Sequence, residues 1–265
     1  MKITDKFLKG RPLSYSSLKQ FAKTPEHYME YLDGVFEPTA AMNRGSVMHC
    51  LLLEPEEFEK RYAVTPEGMD RRTTEGKAKY EKFMKSAEGK QVISNSDYLN
   101  AKGMSDAIKK NSAASKLMMQ ITTTEKRVEW THKETKLPLC GYIDGLGDKI
   151  IVDVKSSKNA DPEDFFRDAF RLGYHIQAAL YVHGMMRKGK MLDYYFVVVE
   201  PAAPYGVAVF RADSKYLSFG IERLDYLCKA FRMWMDDDCP LASYEYHSPI
   251  NGYHQLHIPS WATQS

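Results

Sequence analysis

Asp144 and Asp153 each stand in a short run that is otherwise apolar or small, GYIDG at 141–145 and IIVDVKSS at 150–157. Side chains of a strand alternate between its two faces. Asp153 and Lys155 therefore share one face, and Val152 and Val154 share the other. An acid and an amine inside a β-branched run are costly to bury without partners. A divalent cation would satisfy Asp153, and the Lys155 ammonium could hold a water or a phosphate oxygen beside it. Gly145-Leu146-Gly147-Asp148 reads as a turn. A hairpin through it returns the chain so that Asp144, at the end of its strand, lies close to Asp153. Oxygen ligands on adjacent strand ends suit a hard cation, Mg²⁺ or Mn²⁺. Such a cation polarises a phosphate, lowers the pKa of a bound water and stabilises a leaving oxygen. The alternative is a solvated hairpin with a surface salt bridge between Asp153 and Lys155.

Other residues could join this chemistry. Glu129, in KRVEWTH, faces away from Val128 and Trp130 on a strand, either as a further ligand or as a solvated edge residue. His49 lies one residue off the apolar stripe of NRGSVMHCLLLEPEEF, beside Gly45 and Ser46. It could ligate a metal through one nitrogen or be a half-buried histidine with a carbonyl partner. Gln177 and Tyr181 share a helix face at i, i+4 and can hydrogen-bond a phosphate, a base edge or a catalytic side chain. Arg71, Arg72 and Lys77 crowd the start of a helix beginning near Thr73 or Thr74. Free N–H groups and the helix dipole favour a phosphate there, and a solvated charged helix is the alternative.

These residues need elements to position them. A helical pair is expected around Tyr15–Phe21 and beyond Pro25, capped by Ser14 or Ser16, with packing against a sheet as its role. A helix is expected to start at Gly45-Ser46 and to end near Pro55. Asp97 to Gln120 reads as another, interrupted near Asn111. Helices from Pro162 and from Tyr174 follow the hairpin, then strands at 192–199 and 207–211. A long helix runs from about Ser214 to Met235. His247, His254 and His257, in the aromatic tail, have no tight metal spacing.

The chain has 265 residues, 43% of them hydrophobic, with a formal net charge of +2. That is enough for one large domain, and the small net charge does not by itself indicate nucleic acid. Charge is distributed unevenly: residues 60–90 hold nine Lys/Arg against five Asp/Glu, and Asp236-Asp237-Asp238 is acidic. Such separation can orient a polyanion. The four cysteines form no CxxC and no zinc-finger spacing. Met1 to Arg11 lacks an apolar signal region, and no apolar run is long enough to span a membrane. A soluble cytoplasmic protein with free thiols is expected.

Taken in order, His49, Asp144, Asp153-Val154-Lys155 and Gln177…Tyr181 resemble the PD-(D/E)xK nuclease superfamily. The set is similar to the RecB-like branch and, within it, the RecE exonuclease VIII group. RGSVMHCLLLEPEEF and DRRTTEGKAKY add to this likeness, which covers roughly residues 12–235. The resemblance implies an α/β restriction-endonuclease-like core, with a central mixed β-sheet flanked by helices and an N-terminal helical elaboration. It implies a single nuclease domain over 1–265. Within it, a mainly helical part spans 12–125, a catalytic core 126–235 and an irregular tail 236–265. His49, Asp144, Asp153 and the Val154 carbonyl would hold Mg²⁺ or Mn²⁺, and Lys155 would orient or activate the attacking water. Gln177 and Tyr181 would steady the active-site loop or the DNA backbone, and Glu129 is provisional. The implied activity is 5′ to 3′ degradation of one strand of linear double-stranded DNA, acting with a single-strand annealing protein of the RecT type. A ring-shaped homo-oligomer, a tetramer favoured, is implied as well. Relatives with an iron–sulfur cluster carry three clustered cysteines after the QxxxY helix. Here only Cys228 and Cys239 lie beyond it, so no cluster is expected. A non-catalytic DNA-binding or structural protein on the same scaffold, and a metal-dependent DNA endonuclease, are the alternatives.

Overall fold

The β-branched run Ile150–Ser156 occupies the middle of a five-stranded mixed sheet. The structure, a computed structural model, describes residues 11–34, 39–68, 72–241 and 243–244. The tail histidines and Arg71 lie outside these residues. Two compact units form, the larger from the described residues of Glu37–Trp130 and Cys140–Arg223.

In the larger unit, short strands β1 (Tyr62–Val64) and β2 (Gln91–Ile93) form a separate parallel pair. The main sheet runs in the order β3 (Ile121–Thr131), β4 (Pro138–Gly147), β5 (Ile150–Ser156), β6 (Asp193–Val199) and β7 (Val207–Ala212). β4 and β5 are antiparallel, with Gly145 opposite Val152 and Leu146 opposite Ile151. β5 and β6 are parallel from Ile150↔Asp193 to Ser156↔Val199, and β6 and β7 are antiparallel. A parallel pair needs a long crossover, and helices Pro162–Leu172 and Tyr174–Met186 supply it. Gly173, at φ 79°, ends the first helix and opens the second, a left-handed conformation that costs glycine least. Covered on both faces, β5 and β6 are nearly continuous in apolar residues.

The sheet's two faces have different work. Ile150, Val152, Val154, Val197 and Val199 join a core with Val47, Met48, Met104 and Ile108 from helices Ala40–Leu53 and Asn95–Lys110. Asp153, Tyr194 and Phe196 are buried on the other face, where Phe196 meets Phe165 and Tyr174. The expected α/β class, a central mixed sheet with flanking helices, is what forms.

Several boundaries differ from expectation. The His49 helix starts at Ala40, not Gly45, because Thr39 caps it through the Met42 N–H and Ala40-Ala41-Met42 favours helix. β4 continues to Gly147, so Asp144 lies inside the strand and the turn is Asp148-Lys149. Gly145 and Gly147 are there for close approach: a Cβ would strike Ile121 at the first and the Gln120 carbonyl at the second. Asn111 divides the expected single helix into Asn95–Lys110 and Ser112–Met118.

The smaller unit contains helices Tyr15–Phe21 and Pro25–Asp33, residues 131–139 and the described residues from Leu224 on. Ser14 and Ser17 form a capping box at the first helix. Phe21, Tyr28, Phe231 and Trp234 pack together at centroid distances of 4.9–6.1 Å. His132 Nε2 lies 3.1 Å from Asp225, and the Arg232 guanidinium donates to the Thr135 carbonyl at 2.9 Å. Among the described residues, no helix is long and apolar enough to cross a membrane.

Candidate metal centre

Asp144 and Val154 knit the two strands of the hairpin together. The Val154 N–H donates to Asp144 Oδ2 at 2.7 Å, which fixes that carboxylate beside β5. From the helix Ala40–Leu53, His49 reaches the same place. Its Nε2 donates to the Val154 carbonyl at 3.0 Å, and its Nδ1 lies 3.7 Å from Asp144 Oδ2. A carbonyl can only accept, so in the neutral imidazole Nε2 carries the proton. Nδ1 then keeps its lone pair on the side of Asp144, the form a metal requires. The two sequence readings of His49 thus coexist, since the carbonyl partner leaves the other nitrogen free to ligate.

Glu125 completes the cluster. One ligand atom each from His49, Glu125 and Asp144 lies within 4.8 Å of the others. A cation with bonds of about 2.0–2.3 Å spans donors up to roughly 4.6 Å apart, so small side-chain movements suffice. One imidazole nitrogen with carboxylate oxygens suits Mn²⁺ or Mg²⁺. Glu125 adopts φ +48° within β3, a left-handed conformation uncommon for a side-chain-bearing residue. It interrupts the alternation of the strand where the carboxylate meets Asp144 and His49. The residue is exposed as a whole, yet its carboxyl is held above its ordinary pKa. Partial burial of the carboxyl is the larger cause and the charge of Asp144 the next, with His49 opposing. Glu129, the sequence candidate on this strand, instead ion-pairs with Arg127 on the exposed face.

Asp153 and Lys155 form an ion pair beside this cluster. Asp153 is fully buried, so the surface-salt-bridge alternative does not describe it. The buried Tyr194 hydroxyl is its other polar neighbour. Burial pushes its carboxyl up, against the pull of the Lys155 ammonium. Burial also works against the ammonium, but the carboxylates of Asp153 and Asp144 more than offset it and Lys155 stays charged. A buried carboxylate beside His49, Glu125 and Asp144, with Lys155 and the Tyr194 hydroxyl as neighbours, keeps further lone pairs that a cation could use.

Gln177 and Tyr181 are buried beneath the pair, and Gln177 Nε2 donates to the Tyr181 hydroxyl at 3.2 Å. Burial first, and Asp153 next, push the Tyr181 phenol up to about 12. The motif is thus withdrawn from solvent but near enough for the charges of Asp153, Lys155 and Asp144 to act on the Tyr181 phenol. His49, Glu125, Asp144, Val154 and Lys155 line an open cavity of about 550 Å³, along with Arg61 and Tyr174. Arg72 and Lys77 are exposed and do not line it. Arg61 lines it as a second cation beside Lys155 and is paired with Glu54 at 2.7 Å.

A mixed sheet with this acid–lysine hairpin and candidate metal-binding cluster defines a nuclease-like scaffold of the PD-(D/E)xK superfamily. The chain belongs to the family described as "PDDEXK-like domain of unknown function (DUF3799)", whose model matches residues 14–240. Its fold is similar to the crystal structure of a protein from Eubacterium rectale described provisionally as an exonuclease. That similarity has a TM-score of 0.63 at 13% identity and covers 100% of this chain and 99% of the other. No curated protein sequence matches the chain significantly.

Proposed function

We propose that this protein is a divalent-metal-dependent exodeoxyribonuclease that degrades one strand of linear double-stranded DNA from the 5′ end. The observation that carries the reading is the His49–Glu125–Asp144 cluster placed against the Asp153–Lys155 pair. A bound Mg²⁺ or Mn²⁺ would polarise the phosphate and lower the pKa of a water. His49, Asp144 and Glu125 would hold the cation, with Asp153 and the second lone pair of the Val154 carbonyl in reach. Lys155, an ammonium, cannot take a proton from water. It donates hydrogen bonds, orienting the nucleophile or stabilising charge on the phosphate oxygens. Hydrolysis on this reading leaves a 5′-phosphate on the product. The likeness to the RecE group supports the polarity, a RecT-type annealing partner and a ring-shaped homo-oligomer, with a tetramer favoured. A ring retains duplex by topology, which suits a chain with a net charge of only +2.

The test uses end-labelled linear duplex and covalently closed circles with Mg²⁺ or Mn²⁺. Early release of the 5′ label and intact circles are expected. D153N and K155A should remain folded and lose activity by on the order of 10²-fold or more. Full activity in either variant overturns the active-site assignment. Cut circles return the endonuclease reading, and binding with no cleavage under any divalent metal returns the non-catalytic one.

A further inference from the structure

We propose that Tyr174 is a positioning residue for the hydrolysis, its ring face holding the Lys155 ammonium at the cavity. The inference rests on the nuclease reading given above. Lys155 Nζ lies 5.0 Å from the Tyr174 ring centroid, within the range in which a ring quadrupole attracts a cation. Both residues line the cavity that His49 and Asp144 share. Tyr174 is three residues before Gln177 and seven before Tyr181. All three therefore share one helix face, and the QxxxY motif extends by one turn at its N-terminal end.

The ring is itself held in place. It stacks on Phe196 at 5.9 Å and meets Phe165 at 6.2 Å. Gly173, in its left-handed conformation, starts the helix at that point. Lys155, by contrast, ends in a flexible four-carbon stem, and its ion-pair partner, Asp153, is fully buried. That carboxylate alone draws the ammonium inward, away from any substrate. A cation shared by Asp144 and Asp153 would also weaken the ion pair, since the carboxylate charge is then divided. Tyr174, at the cavity side, supplies a second and neutral anchor. Transition-state hydrogen bonds need a donor fixed in direction, and two anchors hold an ammonium better than one.

The experiment has a spectroscopic arm and a kinetic arm. In protein labelled at the lysine ε-carbons, without metal or DNA, a lysine above a ring face has ε-methylene protons shifted upfield. Lys19 also lies over a ring, that of Tyr15 at 5.8 Å, so the Lys155 resonance is identified as the shifted one that is absent in K155R. It should persist in Y174F and move to the ordinary lysine position in Y174L. On linear duplex with Mn²⁺, Y174L should lower kcat by roughly tenfold with KM unchanged. Y174F should stay within about twofold, because the ring face is kept. Equal melting temperatures in wild type and both variants separate positioning from general destabilisation. The proposal is overturned by an unshifted Lys155 in the wild type, an arm that needs no Tyr174 variant to fold. Full kcat in Y174L overturns it too, as does a loss in Y174F equal to that in Y174L. A wild type with a shifted Lys155 but no nuclease activity on any DNA sinks the nuclease reading and leaves the Lys155–Tyr174 contact standing.

Discussion

Glu125 and Glu129 are four residues apart on one strand and meet different partners. Glu129 sits in regular alternation and pairs with Arg127 in solvent. Glu125, at a left-handed backbone position, is turned to His49 and Asp144. A carboxylate that shares a cation should be felt in metal affinity. E125Q is expected to weaken Mn²⁺ binding by on the order of tenfold or more, with a parallel loss of nuclease activity. E129Q should leave both unchanged, since an exposed ion pair contributes little. Titration of Mn²⁺ into each variant by calorimetry decides between them. Equal affinities in E125Q and wild type would remove Glu125 from the centre. His49 adds a geometric check: in a Mn²⁺-bound structure its Nδ1 should lie about 2.0–2.3 Å from the metal, and an imidazole turned into the core would exclude it.

At the scale of elements, capping and close approach fix where the helices and strands lie. Asn111 ends the helix Asn95–Lys110 and starts the next, its side chain accepting from the N–H groups of Ala113 at 3.1 Å and Ala114 at 3.0 Å. Asn111→Ala should destabilise the protein by about 1 kcal/mol, read as a lower denaturation midpoint with unchanged activity per folded molecule. Gly141 acts differently. It lies on β4 three residues before Asp144, and a Cβ there would collide with the Tyr181 ring. Gly141→Ala must displace that ring or the strand, at a cost of roughly 1–3 kcal/mol. Its activity loss should exceed that of Asn111→Ala, because Tyr181 lies near Asp153. Thermal melts and turnover measured on both variants test the contrast.

For the whole molecule, His175 is one group through which acid lowers stability. It is 4% exposed, stacked on Phe170 and packed against Phe219, and its Nδ1 has no hydrogen-bond partner among the described residues. Burial, with Arg223 adding to it, holds its pKa at about 4. The unfolded chain has an ordinary histidine there, with a pKa near 6.5. Between these values the unfolded state binds more protons, so stability falls as pH drops from about 6.5 towards about 4 and levels off below. The limiting loss from this group is about 3 kcal/mol. Urea midpoints measured between pH 7 and pH 4 should trace it. His175→Gln should flatten the curve, and an unchanged slope in that variant would assign the acid effect to other groups. Assembly belongs to this scale too. If Asp236–Asp238 and Arg71-Arg72 meet across a ring interface, R71A/R72A should sediment as a smaller species. If those arginines instead grip DNA, activity should fall while the oligomer persists.

What the sequence determined by itself was local. β-branched alternation around Asp153 is a pattern of neighbours, so the strand, the shared face of Asp153 and Lys155 and their separation from Val152 and Val154 were legible. So were the two helices after the hairpin and the break at Asn111, because caps and helical periodicity act within a few residues. An acid in an apolar run announces itself through its cost. Glu125 does not, because it lies in the polar run TTTEKR, where one more charge costs nothing and carries no periodic signal. Only the tertiary structure decided that the chain bends there and brings that carboxylate to Asp144 and to a histidine on a distant helix. The same holds for Gly145 and Gly147, whose composition reads as a turn and whose use is close approach by the neighbouring strand. Gln177 and Tyr181 share a face in any helix, but the burial of that face against Asp153 depended on the crossover returning to the sheet. These outcomes rest on contacts between residues far apart in the chain, and no local preference encodes which surfaces will meet.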